Sequence, residues 1–481
     1  MLNETSMHFS EKKLKWLVFP VENFVREYYG KFLLSAVAAE RGWGAIMAYK
    51  GYIRHNLPAI NGVVVEMNMT NSERVDRYLS LGWRVCAWDE EGLIYNNGDV
   101  YAHRRLDDEA LRKLDLVFLW GENQRKDVLN NIQGIENKLF LTGNPRFDLL
   151  RPGLREFYAP AAGMLKNKHG RYILVNTTFG DVNHYFGRDY NLKILREAGK
   201  LTTEAQESDQ IARENYKERL FRAFIEMLPA LSAHFPEHKI IIRPHPAEDF
   251  DTWRSAAQGL PNVSMIHEGD PIPWLLGAEA VIHNSCTTGV QAYLLGRPVI
   301  AYRPVQSDRY DMYLPNALSY QAQDIDQLVT LVRECTSNPG SINQELEQKK
   351  RSVTRKYIES MEGAWASDRI MDELDKLNVN PQALDPAAFS AIEKKNDQPS
   401  GKKELLANFI MRFKNRLTGN TPKVSRLPEK SWDNYTSQRF PTLSNDIESD
   451  LKRLQNLTGR FSNVSVSHVG NELVCVYPSE N

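Results

Sequence analysis

Short apolar runs of strand length alternate with amphipathic stretches of helix length from residue 14 to residue 335, and this alternation restricts the fold more than any other feature of the chain. The first series of strand-like runs covers 14–21, 45–49, 62–67, 84–88, 116–120 and 138–142, with helical periodicity at 23–40 and 72–81 between them. A second series covers 172–176, 239–243, 263–267, 280–283 and 298–302. It is interleaved with a long helix near 208–233 and shorter ones after Asp251, Pro271 and Thr287. Strands separated by helices pair in parallel, because a parallel pair needs a crossover long enough to hold a helix. The expectation is an α/β protein of two Rossmann-like, doubly wound parallel-sheet halves, 14–150 and 168–335, facing a cleft. No G-x-G-x-x-G follows the first strand, which counts against a dinucleotide cofactor.

A chain of 481 residues exceeds one ordinary core, and 42% hydrophobic with 25% charged residues suits globular domains. A formal net charge of -1 provides no overall basic field, so nucleic acid is not an expected partner. Cys86, Cys286, Cys335 and Cys475 are scattered without a C-x-x-C, which argues against a zinc site or a disulfide framework and for a reducing cytosol. The amino-terminal segment lacks the apolar core of a signal peptide, and no apolar run reaches the roughly 18 residues of a membrane span.

The stretch Ile240-Ile241-Ile242-Arg243-Pro244-His245-Pro246 places an imidazole between two prolines. Proline cannot continue a central strand, so the strand ends at Arg243 and His245 follows its carboxyl end, the edge where open α/β sheets bind ligands. A neutral imidazole donates to a phosphate oxygen and a protonated one adds charge, although a lone histidine is often structural. In "AVIHNSCTTGV" a strand ends at His283-Asn284, and Ser285, Thr287 and Thr288 lead into a helix. That turn is a phosphate seat or simply a helix cap.

The first half supplies carboxylates. Asp89, Glu90 and Glu91 follow the strand "RVCAW" as three consecutive acids, offering a general base or nucleophile, with Glu91 and Glu90 favoured over Asp89. Their mutual repulsion predicts that one has a raised pKa, and a solvated acidic turn is the plainer alternative. Asn23 and Arg26 follow the first strand and are candidates for receiving the acceptor, although Arg26 and Glu27 also fit a surface ion pair on a helix. Asn144 and Arg146 sit in the turn that leaves the first sheet, and Asn176 and Thr177 open the loop after the first strand of the second half. Asp181 and His184 lack a third partner at metal-ligand spacing, so no metal is assigned.

Taken together, "RPHP" and "HNSCTTGVQAYLLGRPVIAY" resemble the donor half of GT-B glycosyltransferases that build bacterial surface carbohydrates, in particular bacterial sialyltransferases and capsule β-Kdo transferases. "KLFLTGNPRFDLLRP", "VFPVENFVREYYGKFLLSAVAAERGW" and "WDEEG" fit the same family's first domain, so the resemblance spans roughly residues 14–335. It implies that His245 contacts the donor phosphate or leaving nucleotide and that Ser285, Thr287 and Thr288 hold the phosphate and ribose side. Arg243, Pro246, Asn284 and the loop with His267 and Glu268 would complete the donor site. The substrates implied are a nucleotide-sugar donor, favoured as a CMP-activated acidic sugar such as Kdo, and a glycan or lipid-linked acceptor, with no separate cofactor. CDP-glycerol glycerophosphotransferases and nucleotide-sugar epimerases use a similar frame, and a non-catalytic nucleotide-binding subunit is the alternative from another class.

Beyond residue 335 the sequence suggests a helical segment at 340–377, a polar linker at 378–403 and a small terminal α+β unit at 440–478. Residues 402–417 form a basic amphipathic helical pattern suited to peripheral contact with an anionic membrane, or to docking on the protein's own body.

Overall fold

The computed structural model describes residues 13–337, 344–384, 446–469 and 473–479. The basic pattern at 402–417 and most of the 378–403 segment lie outside the described residues.

Six parallel strands build the heart of the first half: β1 (Lys13–Val21), β2 (Trp43–Tyr49), β3 (Val63–Glu66), β4 (Arg84–Trp88), β5 (Leu116–Leu119) and β6 (Leu139–Leu141). They lie in the order β2-β1-β3-β4-β5-β6, so the chain winds to one side from β1 to β2 and to the other from β3 onward. The second half contains β7 (Tyr172–Asn176), β8 (Lys239–Arg243), β9 (Val263–Met265), β10 (Ala280–His283), β11 (Val299–Tyr302) and β12 (Tyr320–Ala322), all parallel in the order β12-β11-β10-β7-β8-β9. Both are doubly wound sheets with helices on their faces, the two Rossmann-like halves expected from the alternation and the GT-B-like arrangement implied by the resemblance. Strands such as Val63-Val64-Val65 and Ile240-Ile241-Ile242 are almost completely buried, as a sheet covered on both faces requires. Among the described residues no helix is long and apolar enough to cross a membrane.

The terminal α+β unit expected at 440–478, too small to bury a core of its own, packs on the first half. Its helix (Ile447–Thr458) and its strands β14 (Val464–Val469) and β15 (Leu473–Pro478) belong to the first half, because β15 pairs antiparallel with β2 and extends that sheet. Without it β2 would be an open edge of unpaired backbone groups, and the apolar Leu473–Val476 run would be exposed. The proposed linker is likewise anchored at its start. Strand β13 (Gln382–Ala383) pairs with β1, and the Trp16 indole donates to the Gln382 carbonyl at 2.9 Å.

After the second half, helices Gln344–Tyr357 and Ala366–Leu374 return to the first. Asp148 is buried in the first half and accepts from the backbone N–H groups of Ala366 (2.8 Å) and Ser367 (2.9 Å) and from the Ser367 hydroxyl (2.8 Å), capping the returning helix.

One close approach sets the cleft wall. Helix Phe24–Glu40 passes the Pro145–Asp148 turn at Gly30, where an added Cβ would lie 2.6 Å from the Arg146 Cα and N. Gly30→Ala should therefore destabilise by about 1–3 kcal/mol through overpacking, although alanine is the better helix former. Urea titration checks this, and an unchanged midpoint would show that the contact relaxes freely.

Candidate functional site

The carboxyl ends of both sheets open onto one cleft of about 660 Å³, a volume suited to a small-molecule substrate. In the second sheet the winding direction reverses between β7 and β10, so the loops after these strands diverge and leave a crevice. Asn176 ends β7 at this crevice, and the Ser285–Thr288 turn follows β10. Asn176 is buried, yet among the described residues neither its Oδ1 nor its Nδ2 has a partner, an expensive condition that a polar ligand would relieve. Ser285 adopts a left-handed backbone (φ 61°), one of two non-glycine residues to do so among the described residues, and its hydroxyl donates to Asn316 Oδ1 at 3.1 Å. Thr287 then begins the helix Thr287–Leu294, whose amino-terminal end favours an anion.

His245 lines the same cleft, held by Pro244 and Pro246. Its Nδ1 accepts from the Ala247 N–H at 3.2 Å, which in the neutral ring leaves the proton on Nε2 as a donor. Glu248 fixes this loop from within the core. Its carboxylate accepts from the His245 N–H (2.9 Å), the Thr177 hydroxyl (2.7 Å) and the Trp253 indole (2.9 Å), joining the loops after β7 and β8. Burial pushes its pKa up while these bonds oppose the shift.

Arg243 lines the cleft but spends its guanidinium on the carbonyls of Glu268 (2.7 Å) and Gly269, with burial lowering its pKa to about 10. It thereby shapes the 268–270 turn. His267 donates from Nδ1 to the Pro244 carbonyl at 2.9 Å, and burial together with Arg243 brings its pKa down to about 4, so it is neutral at pH 7. Asp270 caps the helix Pro271–Gly277, accepting from the Ile272 N–H at 2.7 Å, and also lines the cleft. Burial raises its pKa to about 7. Arg146 and Tyr158 of the first half are close enough for their charges to interact with it.

The three consecutive acids diverge, as neighbours in a turn must. Asp89 is fully buried, binds Arg105 through Nε at 3.1 Å and through a second guanidinium nitrogen, and does not line the cleft. Glu90 lines it from a buried position, bound by the Trp88 indole at 2.9 Å and paired with Lys31 at 3.2 Å and Arg146 at 3.8 Å. Glu91 also lines the cleft and pairs with Arg26, whose charge brings its pKa down to about 2. At Glu91 the shift is downward, because it meets Arg26. Asp270 is the cleft carboxyl that rises.

Asn23, Arg26 and Arg146 line the cleft from the first half, at the reversal between β1 and β3 and in the turn after β6. Burial and the neighbouring Arg26 lower the Arg146 pKa. Glu27 is not on the helix surface but fully buried, bonded to Lys31 and Arg26. Four candidates do not line the cleft. Besides Asp89, Asn144 caps its turn by accepting from the Arg146 N–H at 3.0 Å, and Asn284 accepts from the Thr178 N–H at 3.0 Å. Glu268 is exposed and pairs with Lys168 at 3.3 Å. Thr177, Thr288 and Pro246 do line it. Sequence reasoning missed Glu248, Asp270, Arg104, Arg105, Arg213 and Lys217. Glu248 could have been found three residues after His245, but the four cations look like ordinary helix-surface charges in the sequence. No group of three His, Cys, Asp or Glu side chains among the described residues is placed to hold a metal, and Asp181 pairs with Arg213 at 3.3 Å.

The fold defines a two-half α/β protein with a cleft between the halves. No family model and no curated protein matches the chain. Among solved structures it is similar to the wall teichoic acid polymerase TagF, at a TM-score of 0.48 and 12% identity over 80% of this chain and 90% of that one. It is similar also to UDP-GlcNAc 2-epimerase from Methanocaldococcus jannaschii, at 0.46 and 13% over 76% and 99% of the two chains. A further UDP-N-acetylglucosamine 2-epimerase gives 0.46 and 15% over 78% and 99%.

Proposed function

We propose that this chain is a glycosyltransferase of cell-surface polysaccharide biosynthesis, moving a sugar from a nucleotide donor to a glycan or lipid-linked acceptor. The donor favoured is a CMP-activated acidic sugar such as Kdo. The observation that carries the reading is the crevice between β7 and β10, where the buried, unpartnered Asn176 amide shares the cleft with His245. A phosphate seated there would accept from His245 Nε2 and lie at the start of helix Thr287–Leu294. The cations Arg26, Arg146 and Arg243 around the cleft support an anionic donor.

In the reaction the acceptor hydroxyl oxygen attacks the anomeric carbon, the bond from that carbon to the phosphate oxygen breaks, and the nucleotide leaves with the bonding electrons. His245 and the Ser285–Thr288 turn stabilise the charge that develops on the phosphate. The hydroxyl proton passes to a carboxylate. Asp270, with a pKa near 7, is better matched to that task than Glu91, which its ion pair makes a weak base. Glu90 and Arg146 then orient the acceptor.

Thermal-shift titration with CMP, CDP and UDP, on the wild type and on His245→Ala, tests the reading. Selective stabilisation by CMP, lost in the variant, is the expected result. Selective response to CDP or UDP would move the donor assignment to CDP-glycerol or a UDP-sugar, with product analysis separating transfer from epimerisation. Binding without donor turnover, even with acceptor present, would favour a non-catalytic subunit.

A further inference from the structure

The cleft holds a second group of cations that belongs to neither the 243–246 loop nor the 285–288 turn. Arg104 comes from the helix Gly98–Arg105 of the first half, and Arg213 and Lys217, one helical turn apart, come from the long helix Glu204–His234 of the second. Lys217 is 5% exposed. The acids nearby are already engaged: Asp181 with Arg213, Asp209 with Arg309 and the Tyr310 hydroxyl at 2.7 Å each, and Asp311 with Arg303 and Tyr216. Among the described residues Arg104 and Lys217 have no carboxylate within 4.0 Å, and the buried Nε of Arg213 has no hydrogen-bond partner. Arg104 and Arg213 are close enough to repel each other, as are Arg213 and Lys217, while Asp181, which also lines the cleft, attracts both Arg104 and Lys217. Burial lowers the pKa of Lys217, the direction expected for a cation held out of water without adequate compensation. Three cations share the single acid Asp181 in this part of the cleft, and the positive charge left over, on Lys217 nearly buried, costs stability that an arriving anion would return.

We propose that Arg104, Arg213 and Lys217 form a second oxyanion subsite, built by both halves of the molecule, that takes a carboxylate or phosphate group of the substrate. The subsite rests on the reading above only in being second to the phosphate seat at His245. Because its cations come from both halves, an anion bound there bridges them and holds the cleft closed around the substrate.

The first probe is inorganic phosphate, applied at constant ionic strength to the full chain as wild type, Lys217→Met, Arg104→Gln and His245→Ala. Lys217→Met should raise the ligand-free Tm by about 2–4 °C, since an uncompensated buried charge is replaced by an apolar chain of similar length. Phosphate should stabilise the wild type, and both Lys217→Met and Arg104→Gln should lose the part that the cation group supplies, a part that His245→Ala retains. Titration with CMP and with a CMP-linked acidic sugar separates the sources. If the occupant is the sugar carboxylate, Lys217→Met weakens the CMP-sugar by about tenfold or more and leaves CMP unchanged. If it is a phosphate, CMP weakens as well. Unchanged affinity for phosphate and for both nucleotides in Lys217→Met and Arg104→Gln would overturn the subsite, as would a wild type indifferent to every anion. Nucleotide binding lost in the cation variants but kept in His245→Ala would remove the phosphate seat at His245 and leave the cation subsite standing.

Discussion

Replacing His245 with alanine should lower the proposed sugar transfer by about 10²–10³-fold, the usual effect of removing one donor aimed at developing negative charge. Folding stability should change by only about 1 kcal/mol, because the side chain is half-buried and its Nδ1 contact with the Ala247 N–H is long, at 3.2 Å. The loop is held instead by its backbone, through Glu248 and the two prolines. His245→Gln, which returns an N–H donor at similar reach, should recover part of the activity. Single-turnover rates and urea titrations on the same preparations separate the two effects. A His245→Ala enzyme with wild-type turnover would reduce the imidazole to a fixture of its loop.

Glu27→Ala should be the most damaging of these changes to stability, costing about 3–5 kcal/mol. The carboxylate is buried and receives Lys31 at 2.8 Å, Arg26 at 3.0 Å and the backbone N–H groups of Glu22 (3.0 Å) and Asn23 (3.1 Å). Its loss leaves Lys31, 2% exposed, with Glu90 and the Pro20 carbonyl at 2.7 Å as partners. Arg26 and Asn23, which line the cleft, lose their anchor in the same step. The pH dependence follows from the same contacts. Burial alone would raise the Glu27 pKa, but Lys31 and Arg26 outweigh it and bring the value down from 4.5 to about 2. A carboxyl with a lower pKa in the folded state contributes stability that is present above its unfolded value and lost as the pH falls from 4.5 toward 2. Denaturant titrations across that range should show a decline in the wild type that is smaller in Glu27→Gln. Identical pH profiles for the two proteins would refute the assignment.

Both predictions concern groups whose surroundings the sequence reveals only in part. "RPHP" marks His245 by local chemistry, since prolines stop a strand and fix the loop that follows it. Glu27, by contrast, has the spacing to Lys31 of an ordinary solvent-facing helix pair. Its burial depends on the close passage of the helix beside the Arg146 turn at Gly30 and on Glu90 arriving from another strand end. The acids Asp89, Glu90 and Glu91 present the same limitation. Composition places them together, but their separate fates with Arg105, with Lys31 and Arg146, and with Arg26 depend on which cation each turn direction meets.

The periodicity of apolar residues was enough to define two doubly wound parallel sheets, because hydrophobic pattern and crossover length are local properties written along the chain. The positions of the strand ends, and hence of His245 and the Ser285–Thr288 turn, followed from proline and small hydroxylated residues in the same local way. Only the tertiary structure joined the terminal strands to β2, turned Lys217 from a helix-surface residue into a nearly buried cleft cation, and set Asp270 opposite Arg146. Those outcomes depend on edge pairing, desolvation and charge proximity between segments distant in the chain, and no local pattern encodes them.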